Sequence, residues 1–336
     1  MAENPATGER LWGRFTSKTA LAARCLRGVA ELNTFNTHLS HWKRFRAFCL
    51  REGHSYLPAN TETVALFFDE RIEQTPDSNK SVLNSARSAI NFVHCKVNAL
   101  ESPCEGFMCR RLLAMIQSER ARASVQKLGI PDEVLAQLWE LFLEATDTEM
   151  ILIYGMILIG CYYLCRFSDL CRVDIKFCKK TATQLGIFFQ KRKNEKVGTM
   201  VWHELTHDRR CISRVWDKLR RTFWYFEEGP LLMKLDHYKL RAVACLHRPS
   251  SGQAMGYSTF SRLFRSALMD GGISRRDIKK YCTQSMRRTG ASKLAAAGVP
   301  DNIIDRCGNW HCKKSKRVYI VPMLAARLAA ARALQV

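Results

Sequence analysis

From residue 18 to residue 122 apolar side chains recur at helical spacing. Leu39, Trp42, Phe45 and Phe48 share one face, with Lys43, Arg44, Arg46 and Arg51 on the others. The period makes the aromatics core and leaves the cations to solvent. Thr61 stands where an N-cap belongs, ahead of Val64, Leu66, Phe67 and Phe68. Pro76, Asp77 and Ser78 interrupt the chain before Val82, Ala86, Ile90 and Val93, and Leu112, Leu113 and Ile116 mark a further helix. The pattern predicts a small helical bundle over 18–122, preceded by an aperiodic arm, 1–17. Residues 123–131 hold Ser124, Gln126, Lys127 and Gly129, end at Pro131, and read as a linker. Pro131, Asp132 and Glu133 then open a second region, 132–336, with acids in a first turn where the helix dipole favours them.

In that region residues 150–165 are almost wholly apolar and end directly in Arg166. A membrane span needs about 20 residues, so this run predicts a buried helix and no membrane partner. Beyond residue 173 the period changes. Leu185, Ile187 and Phe189 alternate, a polar break covers 191–196, and residues 197–202 form a second short apolar stretch: a β-hairpin with a basic turn. Helical patterning resumes near Ser213 and runs, with breaks, to the end. The tail, 323–336, is Ala-rich with Leu324, Leu328 and Leu334, a good helix former. The fold class predicted is mainly α: a helical bundle followed by a mixed α+β domain with a small antiparallel sheet.

Charge narrows the partner. The 336 residues contain 53 Lys+Arg and 31 Asp+Glu, a net of +22. Residues 1–131 carry 18 basic and 12 acidic residues, so +16 of the excess lies in 132–336. Such a field repels itself until a polyanion neutralises it, which puts nucleic acid first among partners. Fourteen cysteines follow a polar N-terminus without a signal-peptide pattern, the expectation for buried thiols in a reducing, intracellular compartment. Cys307 with His311 and Cys312, and Cys161 with Cys165, lack a second pair at zinc spacing, so no metal is expected.

Three clusters carry candidate chemistry. The first is Cys165, Arg166, Phe167, Ser168, Asp169 and Leu170. The second runs from Gln284 through Ser285, Met286, Arg287, Arg288 and Thr289 to Gly290, followed by Ala297, Gly298 and Val299. The third is Gly308, Asn309 and Trp310, then a basic stretch, then Tyr319. In order and spacing, over roughly 132–322, they resemble the tyrosine recombinases, the phage integrases and Cre-like enzymes. The first resembles that family's Arg-x-Ser-Glu-Leu box with Asp169 for the acid, the second its His-x-x-Arg box, and the third its Gly-His or Gly-Trp step. The helical first region is similar to the family's SAM-like core-binding domain.

The resemblance implies a site-specific recombinase or integrase that cleaves and rejoins duplex DNA without ATP or cofactor. Tyr319 is then the nucleophile that forms a 3′-phosphotyrosine. Arg166 and Arg287 clamp the scissile phosphate. Lys193 protonates the leaving 5′-oxygen, and Trp310 donates its indole N–H beside the phosphate. Two domains would form a C-shaped clamp, and a tetramer on two DNA sites would work through a Holliday junction, its tail helix docking on a neighbouring protomer or on its own domain. Two departures stand out. Gln284 replaces the family's first His and cannot shuttle a proton. Asn309 is an extra residue between Gly308 and Trp310, so His311 is an alternative to Trp310.

Bland readings stay beside these: Arg166 as a helix end reaching water, Tyr319 as a core tyrosine, Gln284 as a surface amide, and Lys191, Arg192 and Lys196 as solvated turn charges competing with Lys193. Arg275, Arg276, Lys279, Lys280, Lys313, Lys314, Lys316 and Arg317, with Lys43, Arg44, Arg46 and Arg51, are candidate phosphate contacts, which position but do not encode sequence. A type IB topoisomerase, an inactive DNA-binding derivative and an RNA-binding or scaffold protein are the alternatives. The cysteines, Gln284 and the Gly-x-Trp step lean toward a eukaryotic mobile element, which leaves two locations open: the nucleus if the host is eukaryotic, otherwise the cytoplasm.

Overall fold

The computed structural model describes residues 32–74, 80–98, 100–119, 126–192, 197–206, 208–223, 227–238, 246–311, 316 and 319–320. The chain divides into two units, residues 1–125 and 126–336.

In the first unit α1 (Leu32–Glu52), α2 (Thr61–Gln74), α3 (Lys80–Asn91) and α4 (Phe107–Glu119) enclose a core. Trp42, Phe45, Phe67, Phe68, Val93 and Ile116 are all buried there, the period read from the sequence. The cap of α2 is Asn60, one residue before Thr61: its Oδ1 accepts the Thr63 N–H at 2.7 Å. A six-residue π-helical turn, Phe92–Val97, continues α3 and buries His94. The His94 ring reaches the Ile90 carbonyl at 2.9 Å and accepts the Ala59 N–H at 3.0 Å, so a polar residue in the core is satisfied on both sides.

The second unit is built on α6 (Thr148–Tyr162), buried on every side from Ile151 to Cys161 and started by Asp147, whose carboxylate accepts the Met150 N–H at 2.9 Å. Around it lie α5 (Asp132–Glu144), α8 (Ile212–Thr222), α9 (Tyr257–Asp270) and α10 (Gln284–Ala296). The one-turn α7 (Phe167–Leu170) follows α6, and α11 (Asp301–Gly308) follows α10. The contact of α6 with α10 is close: a Cβ on Gly290 would meet the Cys161 carbonyl oxygen at 2.0 Å. Among the described residues no helix is long and apolar enough to cross a membrane.

The hairpin read from alternation is β2 (Gln184–Phe189) with β3 (Thr199–Glu204), antiparallel, Gly186 opposite Trp202, with a short β1 (Lys179–Lys180) on the outer side of β2. Leu185, Ile187 and Phe189 face the core. The Tyr163 hydroxyl donates to the Leu185 carbonyl at 2.8 Å and ties this sheet to the end of α6.

Two expectations change. The region after Ser213, read as helices with breaks, also holds strands: β4 (Met233–Tyr238) and β5 (Leu246–Ala254) form a second antiparallel pair. Residues 126–131 are no loose linker. The Leu128 N–H donates to the Lys280 carbonyl at 2.9 Å, the Ile130 N–H to Thr289 Oγ1 at 2.7 Å, and Arg288 donates to the Lys127 carbonyl. Backbone hydrogen-bonding groups near a core must be paired, and here α10 and the turn before it pair them.

Candidate active site

Arg166 stands where the chain leaves α6. Leu164 adopts a left-handed conformation, φ 50°, uncommon for a residue with a Cβ, and the chain reverses there. Arg166 then starts α7, its backbone N–H donating to Asp169 Oδ2 at 2.9 Å, and its Nη1 lies 3.8 Å from the same oxygen. Asp169 is buried. An acid three positions after the arginine therefore closes the one-turn helix and steadies the guanidinium.

Arg287 lies in the first turn of α10 and is fully buried. Its Nη1 donates to the Leu164 carbonyl at 2.8 Å and its Nη2 to the Gly308 carbonyl. Its guanidinium carbon sits 3.9 Å from the centre of the Trp310 ring and 5.2 Å from that of Tyr319. Burial first, then the charge of Arg166, push its pKa down to about 9, with Arg192 adding to the repulsion, while Asp169 and Tyr319 oppose them.

Trp310 follows a sharp helix end. Asn309 takes the left-handed conformation, φ 48°, and its N–H caps onto the Arg306 and Asp305 carbonyls. The extra residue between Gly308 and Trp310 is thus a stop signal that folds the indole back over the helix. A Cβ on Gly308 would lie 1.9 Å from that ring. Trp310 is buried with its ring centre 5.5 Å from that of Tyr319, while His311 is exposed.

Tyr319 is half-buried against a small cluster that includes Leu164, Ala291, Ile304 and Trp310. Its N–H donates to the Lys316 carbonyl at 2.8 Å and its carbonyl accepts from Ser292 Oγ at 3.2 Å. Lys316, read as a candidate phosphate contact, is buried and paired with Asp301 at 2.8 Å and Asp305 at 3.1 Å.

Arg166, Arg287, Trp310 and Tyr319, spread along the chain from residue 166 to residue 319, are therefore brought together. Arg166 Nη1, Arg287 Nε and Trp310 Nε1 are buried donors without an acceptor among the described residues. Buried donors of this kind are rare, and two guanidiniums and an indole N–H in one cluster suit an anion that accepts several hydrogen bonds, such as a phosphate. Among the described residues no group of His, Cys, Asp and Glu is placed to hold a metal ion.

The other candidates are not gathered there. Gln284 is exposed at the first position of α10, and no hydrogen bond joins it to the cluster among the described residues. Lys193, Lys313 and Lys314 lie outside the described residues, as do the arm 1–17 and the tail 323–336. Arg275, Arg276 and Lys279 are exposed near the start of α10, and Lys280 bonds Asp277 at 2.6 Å. Lys43, Arg44 and Arg46 are exposed on α1, whereas Arg51 pairs with Glu52 and Glu70. Arg192 differs from its reading as a solvated turn charge. It is 1% exposed, and nothing in the sequence marks it, since it breaks the alternation that buries Leu185, Ile187 and Phe189.

No protein-family model and no curated protein matches the chain. Solved structures do. The Tn1549 transposon integrase in complex with transposon right-end DNA has a TM-score of 0.58 at 11% identity, covering 98% of this chain and 99% of that one. A lambda integrase tetramer bound to a Holliday junction has 0.54 at 12%, covering 93% and 76%. The XerH site-specific recombinase bound to its palindromic difH substrate has 0.54 at 13%, covering 77% and 68%. The chain has the tyrosine recombinase/integrase fold.

Proposed function

We propose that this protein is a site-specific DNA recombinase or integrase working through a covalent phosphotyrosine. The observation that carries the reading is the gathering of Arg287 and Trp310 against Tyr319, with the charge of Arg166 acting on Arg287, each of the three holding a buried donor that makes no hydrogen bond among the described residues. Arg166 and Arg287 hold the non-bridging oxygens of the scissile phosphate, where negative charge grows in the transition state, and Trp310 donates a further hydrogen bond. Tyr319 Oη forms a bond to phosphorus, the bond from phosphorus to the 5′-oxygen breaks, the tyrosine proton passes to water, and the leaving oxygen takes one proton, from Lys193 in this scheme. Storing the bond energy in the phosphotyrosine lets the reverse attack by a 5′-hydroxyl reseal the strand without ATP. Duplex DNA is the partner, held by the basic surface. A tetramer on two sites fits the lambda integrase assembly that the fold matches. An intracellular setting suits the thiols.

Two marked DNA sites mixed with the protein test the reading. Recombinant products are expected. Relaxation of supercoils without recombinants would replace it with a topoisomerase, and duplex binding without either product would replace it with a DNA-binding derivative, the role that an exposed Gln284 in place of His favours most.

A further inference from the structure

Arg192 is a buried cation with no carboxylate partner among the described residues. Its Nη1 donates to the Cys307 carbonyl at 2.7 Å and its Nη2 to the Tyr163 carbonyl at 3.1 Å. Its guanidinium carbon lies 3.9 Å from the centre of the Phe189 ring. Arg287 makes the parallel set of contacts one residue further along both segments, to Leu164 and Gly308. The two guanidiniums thus join the same two pieces of backbone side by side. One piece runs on into Arg166 and the other into Trp310.

Burying a guanidinium without a counter-ion is unfavourable, and a neutral side chain of similar length would fill the same space beside Phe189 without that penalty. The arrangement becomes favourable when negative charge arrives nearby. Arg166, Arg192 and Asp169 all act on the Arg287 guanidinium, so three positive charges, Arg287 included, stand against the one carboxylate of Asp169. That surplus matches a phosphate whose charge grows as it is attacked.

We propose that Arg192 is a positioning residue of the phosphate site. It holds the 163–166 and 307–310 segments in register, so that Arg166 and Trp310 face one point, and it lends its charge to that point without touching the DNA. The inference rests on the transesterification reading above.

The test compares two nicked duplex substrates in single-turnover cleavage. One has an ordinary scissile phosphodiester, and the other a methylphosphonate there, in which a methyl group replaces one charged oxygen. The Arg192→Met variant is expected to cleave the phosphodiester about 10²-fold slower than wild type, near the loss from removing one stabilising donor. On the neutral methylphosphonate the loss is expected to shrink to within about threefold, because the charge the site answers to is gone. A merely structural defect slows both substrates equally, and that result, or an unimpaired phosphodiester reaction, overturns the proposal. If Arg192→Met fails to fold, judged by circular dichroism and lost duplex binding, Arg192→Lys decides. It keeps the charge but loses one carbonyl tie, so both substrates are expected to be cleaved within about threefold of wild type. A larger loss, equal on the two substrates, overturns the proposal there too. Wild-type protein that forms no covalent adduct with either substrate overturns the transesterification reading and this inference with it, whereas adducts with equal losses in the variants overturn the inference alone.

Discussion

At the scale of single residues, Arg287 is the side chain under most constraint. It is fully buried, donates to two carbonyls and lies against two aromatic rings. Its pKa in the folded chain, about 9, lies well below the ordinary arginine value. Between those values the unfolded chain binds more protons than the folded one, so this group's contribution to stability rises with pH through that window and is lowest below it. An anion beside the guanidinium reverses that bias. At neutral pH a short duplex is therefore expected to raise the melting temperature of the wild type by several degrees, and that of Arg287→Met by clearly less. Equal shifts in the two proteins would show that Arg287 does not face the bound anion. Arg287 was legible in the sequence because the box around it is local. Arg192 was not, because its partners, Tyr163 and Cys307, are distant in the chain and are backbone carbonyls, which leave no trace in residue type. Asn309 looked like an insertion, since a left-handed helix stop is a backbone property that sequence spacing counts as one more residue.

At the scale of elements, the position of α10 against α6 sets where Arg287 points. Met286 fills the space beside Gly160, and the missing side chain of Gly290 lets the helix approach the Cys161 carbonyl. A methyl group at Gly290 has only backbone to push against. Gly290→Ala is expected to destabilise the protein by roughly 1–3 kcal/mol, the usual range for overpacking, and to slow cleavage more than it weakens duplex binding. Chemical denaturation and single-turnover cleavage measure the two effects. An unchanged denaturation midpoint would mean that the two helices are not in this close contact. The helix α6 and the pair β2 and β3 were readable because a wholly apolar run and a strict alternation each have one structural solution. The pair β4 and β5 was not: β5 contains Pro249, Ser250, Ser251 and Gly252, residues depleted in strands, and pairing with β4 overrides their preference. The segment 126–131 misled in the same way, its polar composition hiding contacts made by Thr289 and Arg288 of α10.

At the scale of the whole molecule, the net charge of +22 is the property a duplex meets first. Replacing Lys43, Arg44 and Arg46 together by Ala is expected to weaken binding uniformly across DNA sequences. It should also flatten the dependence of log affinity on log salt by about 0.9 for each phosphate no longer neutralised. An unchanged slope would mean that this face of α1 does not meet DNA. Charge alone, however, does not separate a binder from an enzyme. The proposal of an enzyme rests instead on Arg287, Trp310 and Tyr319 lying in one cluster, with Arg166 acting on Arg287. Covalent capture tests that claim most directly. A nicked duplex that loses its leaving fragment after cleavage is incubated with wild type and with Tyr319→Phe, and the products are resolved under denaturing conditions. A protein–DNA adduct with wild type, joined through the Tyr319 peptide and absent from Tyr319→Phe, is the predicted result. An adduct that persists in Tyr319→Phe, or none with a wild type that binds the duplex, would contradict the account.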